Sequence, residues 1–386
     1  MLTENIKFKN FLLKSNKSKV KKDLLKLMNS NSEVINSLSS NYIFSFSKKI
    51  IQKYKNFQKI RIIGMGGSIL GSQAIYSFMK NKIKKKVHFI NNLTRDISKK
   101  KEKKILNLVI SKSGNTLETI LNSNILISNN DKNVFITENK NSYLKNLAYK
   151  LKADIVHHNN FIGGRYSVLS EVGMLPAELA GLNPKKFKQL NFLINNKNFV
   201  NGLMNNVAST INLVKKKKYA SIILNYDEKS ENLFKWYQQL IAESLGKKSK
   251  GILPVISSMP KDNHSLMQLY LDGPKKNFYT FFNVLNEKSL KINNNKILYS
   301  HRYLKNKSLA KILYSQKLAA EKVFLRKKIP FRSFEVLKRN EKTLGELFCF
   351  FILETILLGR SLNVNPFDQP SVELIKKETK QILINS

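Results

Sequence analysis

A chain of 386 residues, 42% of them hydrophobic, can bury a sizeable core and form two domains of ordinary size, which excludes a peptide, a disulfide scaffold and a disordered tail. The 68 Lys and Arg against 26 Asp and Glu give a formal charge of +42, a balance that invites a nucleic-acid partner. Yet only 8 of the basic residues are Arg, the side chain whose planar forks read bases, and Lys and the 46 Asn share adenine-rich codons. A coding bias explains both excesses, so no nucleic-acid partner is expected. The field can still attract small anionic substrates.

In chain order, MLTENIKFKNFLLK carries Glu4 and several Lys and lacks a signal-peptide core, so export is not expected. From Lys59 to about His158 short apolar runs alternate with helical patterns, the mark of a parallel sheet covered on both faces. The strand candidates are IRIIGM, KVHFIN, LNLVIS, NVFITE and ADIVHH, with SILGSQAIYSFM and TLETILNSNILI as amphipathic helices between them. SVLSEVGMLPAELAGL, KKFKQL and the segment from Asn198 to Lys216 read as connecting helices.

A second set starts near Tyr219 with YASIILNY, a helix through NLFKWYQQLIAES, GILPVIS, a helix from HSLMQLY, the strand NFYTFFNVL and, after a long helix, FRSFEVL. Two tandem doubly wound α/β/α domains with mainly parallel sheets are expected, over residues 1–185 and 186–386. Cys349 lies in LGELFCFFILETILLG, an apolar helical pattern, and reads as core filler in a reducing, cytoplasmic setting. The run from Leu347 to Leu353 is far short of the roughly 20 residues of a membrane span, so no membrane partner is expected. Pro370 and Ser371 start a last helix that continues to about Ile384.

Three segments carry chemistry. IRIIGMGGSILGS ends an apolar strand in Gly64, Gly66 and Gly67, followed by Ser68 at a helix start, where backbone N–H groups and the helix dipole suit a phosphate. Ile69 stands where a dinucleotide fingerprint has its third glycine, and no acidic residue follows at the required distance. LVISKSGNTLETI repeats the strand, loop and helix with Ser111, Lys112, Ser113 and Thr116, a set suited to a phosphomonoester. NNFIGGRYSVLSEVG puts a glycine pair before Arg165, aiming a planar cation at something anionic or else at a structural partner. The five His, at 88, 157, 158, 264 and 301, show no HExxH or clustered ligand spacing, so no metal is expected, and with no dinucleotide fingerprint no cofactor is expected either.

GGRYSVLSEVG resembles the Gly-Gly-Arg-Phe/Tyr-Ser signature of the glucose-6-phosphate isomerase (phosphoglucose isomerase) family, and NPFDQPSVELIKK resembles its carboxyl-terminal signature. QQLIAESLGKKSKG and DNHSLMQLYLDGP are similar to that family's catalytic-base and histidine segments, and IGMGGSILG and SKSGNTLET to its sugar-phosphate loops. The six segments run in the family's order from Ile63 to Lys376. The resemblance implies two sugar-isomerase (SIS) domains and interconversion of glucose 6-phosphate and fructose 6-phosphate through an enediolate, in glycolysis and gluconeogenesis.

It also implies roles. Glu243 takes the base position, moving a proton between C1 and C2, and Arg165 the position that stabilises the enediolate. His264 takes that of the ring-opening histidine, and Lys376 that of its partner at the sugar oxygen. Gly67, Ser68, Ser111, Lys112, Ser113 and Thr116 fall on substrate and phosphate positions, and Gln239 and Gln369 on sugar contacts. A homodimer is implied, because the family's histidine reaches the neighbouring site. Pro370 and Ser371 stand where many relatives carry Trp-Gly, which leaves Lys377 as a competitor of Lys376. The alternatives are an isomerase that also accepts mannose 6-phosphate and a non-catalytic sugar-phosphate-binding SIS regulator. A glucosamine-6-phosphate synthase would need a nucleophilic Cys near its start, and this chain has none there.

Overall fold

A computed structural model of the chain describes residues 1–13, 15–95, 104–128, 130–285 and 288–386. Its strands are β1 (Ile6–Lys9), β2 (Lys59–Gly64), β3 (Lys86–Ile90), β4 (Ile105–Ile110), β5 (Lys132–Thr137), β6 (Asp154–His157), β7 (Ala220–Asn225), β8 (Leu253–Ser258), β9 (Asn277–Val284) and β10 (Phe331–Val336). One sheet has the order β3-β2-β4-β5-β6, parallel throughout. Every residue of β4 is buried, as a strand covered on both faces by helices requires. The chain leaves β2 for β3 on one side and then crosses to β4 on the other. The carboxyl ends of β2 and β4 therefore flank the switch point where open α/β sheets bind ligands.

The second sheet has the order β1-β10-β9-β7-β8. Four strands are parallel, and β1, the first element of the chain, closes the edge antiparallel to β10 with Ile6 opposite Val336. This strand has no counterpart in the patterns read from sequence. Its Phe8 ring meets Phe334 at 4.6 Å, so β1 is held by side-chain packing as well as its ladder.

Helix Glu341–Ser361 is apolar on nearly all sides and buried almost throughout, which makes it a core element. Helix Glu231–Leu245 packs on it through Trp236 against Phe348 (4.8 Å) and Tyr237 against Phe351 (4.5 Å), and on β9 through Phe234 against Phe282 (4.9 Å). The same helix packs against helix Leu70–Phe78, which follows β2. Buried aromatics of this kind contribute on the order of 2 kcal/mol each. Glu243 is thus carried on an element anchored to both sheet layers.

Most predicted strands and helices are found within one or two residues, with instructive exceptions. After Gly66, whose φ of +51° suits glycine, Gly66–Ser68 form a 3-10 turn and the α-helix starts only at Leu70. Residues Gly164–Leu169 are likewise a 3-10 turn before helix Glu171–Leu179, and KKFKQL divides between the turn Pro184–Phe187 and helix Leu190–Ile194. Helix Val372–Asn385 forms as expected, but none of its residues is buried. No helix among the described residues is long and apolar enough to cross a membrane.

Candidate active site

The loop after β2 crosses the arginine loop at backbone contact. A Cβ on Gly67 would stand 2.1 Å from the carbonyl carbon of Gly164 and 2.4 Å from the Arg165 nitrogen, so only glycine lets the two chains pass. A Cβ on Gly66 would lie 2.8 Å from Gln239 Nε2. The glycine loop therefore packs directly on the elements that carry Arg165 and Gln239, and buried Ser68 turns its N–H back to Met65.

The loop after β4 is built differently. Ser111 Oγ and Thr116 Oγ1 are 2.8 Å apart and satisfy each other, and Ser113 Oγ accepts from the Asn115 N–H at 3.2 Å. Thr116 is the N-cap of helix Leu117–Leu126, yet its side chain makes no capping bond, which leaves the first-turn donors to an incoming anion. Lys112 Nζ donates to the Asn160 carbonyl at 2.8 Å and lies 3.5 Å from Glu138. This lysine ties the loop to the segment leading into Arg165. A cleft of about 720 Å³ beside it is lined by Glu33, His157, Asn159, Asn160, Phe161 and Phe367; it shares the Asn160 turn but not Glu243.

Arg165, 2% exposed, uses all five N–H donors. Nε donates to Ser244 Oγ (2.8 Å), NH1 to Glu243 Oε2 (3.1 Å) and Gln369 Oε1 (2.6 Å), and NH2 to the carbonyls of Pro366 (2.7 Å) and Asp368 (3.0 Å). Glu243 Oε1 accepts from Gln239 Nε2 at 2.8 Å, one helical turn earlier. The structure thus brings together Gly67, Arg165, Gln239, Glu243 and Gln369. Trp236 Nε1 donates to the Arg165 carbonyl at 3.1 Å. Sequence reasoning passed over Ser244, Tyr166, Trp236 and the Pro366 and Asp368 carbonyls, although Ser244 adjoins Glu243 in a segment already singled out. Backbone acceptors leave no mark on a sequence.

A second buried arginine offers a contrast. Arg332, 1% exposed, is ion-paired with Glu354 and donates to Thr280, Asn206 and Tyr237, all of them buried. The Glu354 side chain is 1% exposed, whereas that of Glu243 is 30% exposed. Both arginines are paired as buried cations must be, but only Arg165 has a carboxylate partner that a solute can touch.

His264 and Lys376 stand outside this constellation. His264 caps the turn Lys261–Asn263 beyond β8 with its N–H donating to the Lys261 carbonyl at 3.1 Å, and its exposed side chain makes no hydrogen bond among the described residues; Asp262 fixes the loop through Ser257, Ser258 and Ser265. Lys376 is ion-paired with Glu373 at 2.6 Å on the unburied last helix.

Comparison with known proteins extends this geometry to a family. The family model described as Phosphoglucose isomerase matches residues 12–386. The glucose-6-phosphate isomerase of Methanocaldococcus jannaschii is 34% identical over 354 residues, covering 85% of this chain and 85% of that protein. That of Mycoplasmopsis pulmonis is 34% identical over 379 residues, covering 87% and 86%. The crystal structure of a glucose-6-phosphate isomerase from Chlamydia trachomatis superposes with a TM-score of 0.74 at 18% identity, over 95% of this chain and 83% of that one, a likeness of fold. With its family signatures in order and the match extending over nearly its whole length, the chain belongs to the phosphoglucose isomerase family.

Proposed function

We propose that the protein interconverts glucose 6-phosphate and fructose 6-phosphate through an enediolate, in glycolysis and gluconeogenesis. The observation that carries this reading is the Arg165–Glu243 pair, a fully anchored cation beside a half-exposed carboxylate. Aldose–ketose interconversion removes a proton alpha to a carbonyl and returns it to the neighbouring carbon, so one carboxylate in reach of both carbons suffices. Glu243 is that base, with Gln239 orienting its second oxygen. Charge then develops on the enediolate oxygens, and a guanidinium already locked in place stabilises it without reorganisation. Gln369 is the exposed, neutral acceptor on NH1, the one an anionic sugar oxygen can replace.

The phosphate sits at the carboxyl ends of β2 and β4, on Ser111, Ser113, Thr116 and the donors of helix Leu117–Leu126, with Lys112, Gly67 and Ser68 alongside. His264 and Lys376 open the sugar ring. Among the described residues neither is hydrogen-bonded or ion-paired to Glu243 or Arg165, which supports a homodimer in which His264 serves the neighbouring site. Exposed Leu374, Ile375, Ile382 and Leu383 on the last helix, with Leu298, Tyr299 and Tyr303, are the apolar surface such an assembly would cover. A cytoplasmic location is part of the same proposal.

The test is Glu243→Gln in a coupled assay. Turnover should fall by at least about 10²-fold while sugar-phosphate binding persists. Near-normal turnover would remove Glu243 as the base. The same assay run on mannose 6-phosphate separates a strict from a bifunctional isomerase.

A further inference from the structure

The side of Arg165 that faces away from Glu243 is held by a hydrogen-bond chain whose direction follows from the atoms in it. The Pro366 carbonyl can only accept, so the Tyr166 hydroxyl, 2.9 Å away, donates to it. That uses the only phenolic hydrogen, so across the 2.8 Å contact with Ser244 Oγ the tyrosine must accept and the serine must donate. Ser244 Oγ is then free to accept from Arg165 Nε at 2.8 Å. The chain runs one way, from Arg165 through Ser244 and Tyr166 to Pro366. Ser244 and Tyr166 are both fully buried, and burial pushes the Tyr166 hydroxyl up, so it remains a donor.

Residues 243 and 244 are successive on helix Glu231–Leu245 and point about 100° apart. Glu243 looks outward and Ser244 inward, and the guanidinium touches both. We infer that Ser244 is a positioning residue of the isomerisation: its hydroxyl, oriented by Tyr166, sets the Arg165 guanidinium in register with the carboxylate next to it in the chain. A hydroxyl is what lets a side chain of that size accept one strong hydrogen bond and donate another at this place. A misplacement of about 1 Å at such a centre costs on the order of 10²-fold in rate. The inference rests on the reading that Arg165 stabilises the enediolate.

The experiment compares Ser244→Ala, Ser244→Thr and Tyr166→Phe in the full-length protein. Each variant is assayed for kcat and KM, and for affinity toward two probes. One is glucitol 6-phosphate, an open-chain polyol with no enediolate charge. The other is a phosphorylated five-carbon hydroxamate that carries negative charge where the enediolate does. Ser244→Ala should lower kcat about 10- to 100-fold, leave KM within about threefold, and weaken the hydroxamate in step with kcat but the polyol by less than about twofold. Ser244→Thr, which keeps the hydroxyl, should recover kcat to within about fivefold of the native protein, and Tyr166→Phe should fall between, about 3- to 10-fold down.

Full kcat in Ser244→Ala would overturn the inference, as would parallel loss of both probes, which signals general loosening. Should Ser244→Ala fail to fold, Tyr166→Phe decides by the same criterion. Arg165→Lys separates the two levels. If it is inactive while Ser244→Ala is normal, only the positioning role fails; if it turns over normally, the underlying role of Arg165 fails too.

Discussion

Arg165 NH1 lies 3.1 Å from Glu243 Oε2 although 78 residues separate them in the chain. The arginine reaches across from the end of the first sheet unit to the helix that follows β7, and every one of its donors is used. Arg165→Lys keeps the charge but offers one compact ammonium in place of five forked donors. A loss of about 10²- to 10³-fold in kcat is expected, the scale seen when a preorganised oxyanion donor is removed, with a melting temperature several degrees lower. A variant within about threefold of native kcat would show that planarity is irrelevant here.

Gly67 is a steric requirement, because its missing Cβ is what lets the β2 loop pass the Gly164–Arg165 backbone. Gly67→Ala must push that backbone apart, and overpacking of this kind costs about 1–3 kcal/mol or more. Thermal unfolding and a coupled assay together check it: the expected result is a lower melting temperature and a larger fall in kcat than in stability, since Arg165 moves with the loop. A variant with native turnover and native melting would show that the crossing relaxes freely.

Subunit sharing of the site can be tested by mixing two inactive variants. If Glu243 and His264 act across the interface, Glu243→Gln and His264→Asn homodimers should both be dead. After unfolding and refolding together, random reassortment in a two-fold dimer should restore about one quarter of native activity, because half the dimers carry one intact site. A mixture no more active than its parts would place His264 outside the neighbouring site.

Cys349 is fully buried in helix Glu341–Ser361, and burial pushes its thiol up to about 12. Such a thiol stays protonated and shielded throughout the physiological range. A disulfide reagent at pH 8 should leave the native protein untouched and react at once in guanidinium chloride, and Cys349→Ala should keep kcat within about twofold. Rapid reaction of the folded protein would contradict the buried placement.

What could be read from the sequence is what periodicity and glycine chemistry encode. The alternation of apolar runs with helical patterns gave the strands of both sheets, because a strand covered on both faces must be apolar throughout, as β4 is. The motif segments led to Arg165, Gln239, Glu243 and Gln369, which lie together in space. The strand Ile6–Lys9 was not legible, since four residues carry too little pattern and their partner, β10, lies more than 300 positions later. Nor could local rules distinguish a helix starting at Ser68 from a 3-10 turn followed by a helix at Leu70. The difference is set by how closely Gly67 meets Gly164.

The amino-acid sequence by itself determined the class of fold and two loops suited to a phosphate, because these depend on spacing and chemistry along a few residues, while the candidates for proton transfer came from its resemblance to the family's motifs. Only the tertiary structure showed what Arg165 is tied to and how open its carboxylate partner is. Arg165 and Arg332 are both buried and both paired with glutamate, and what separates them is that Glu243 remains open to solvent while Glu354 is enclosed. Exposure is a property of the whole packed chain, and it separates two otherwise similar ion pairs.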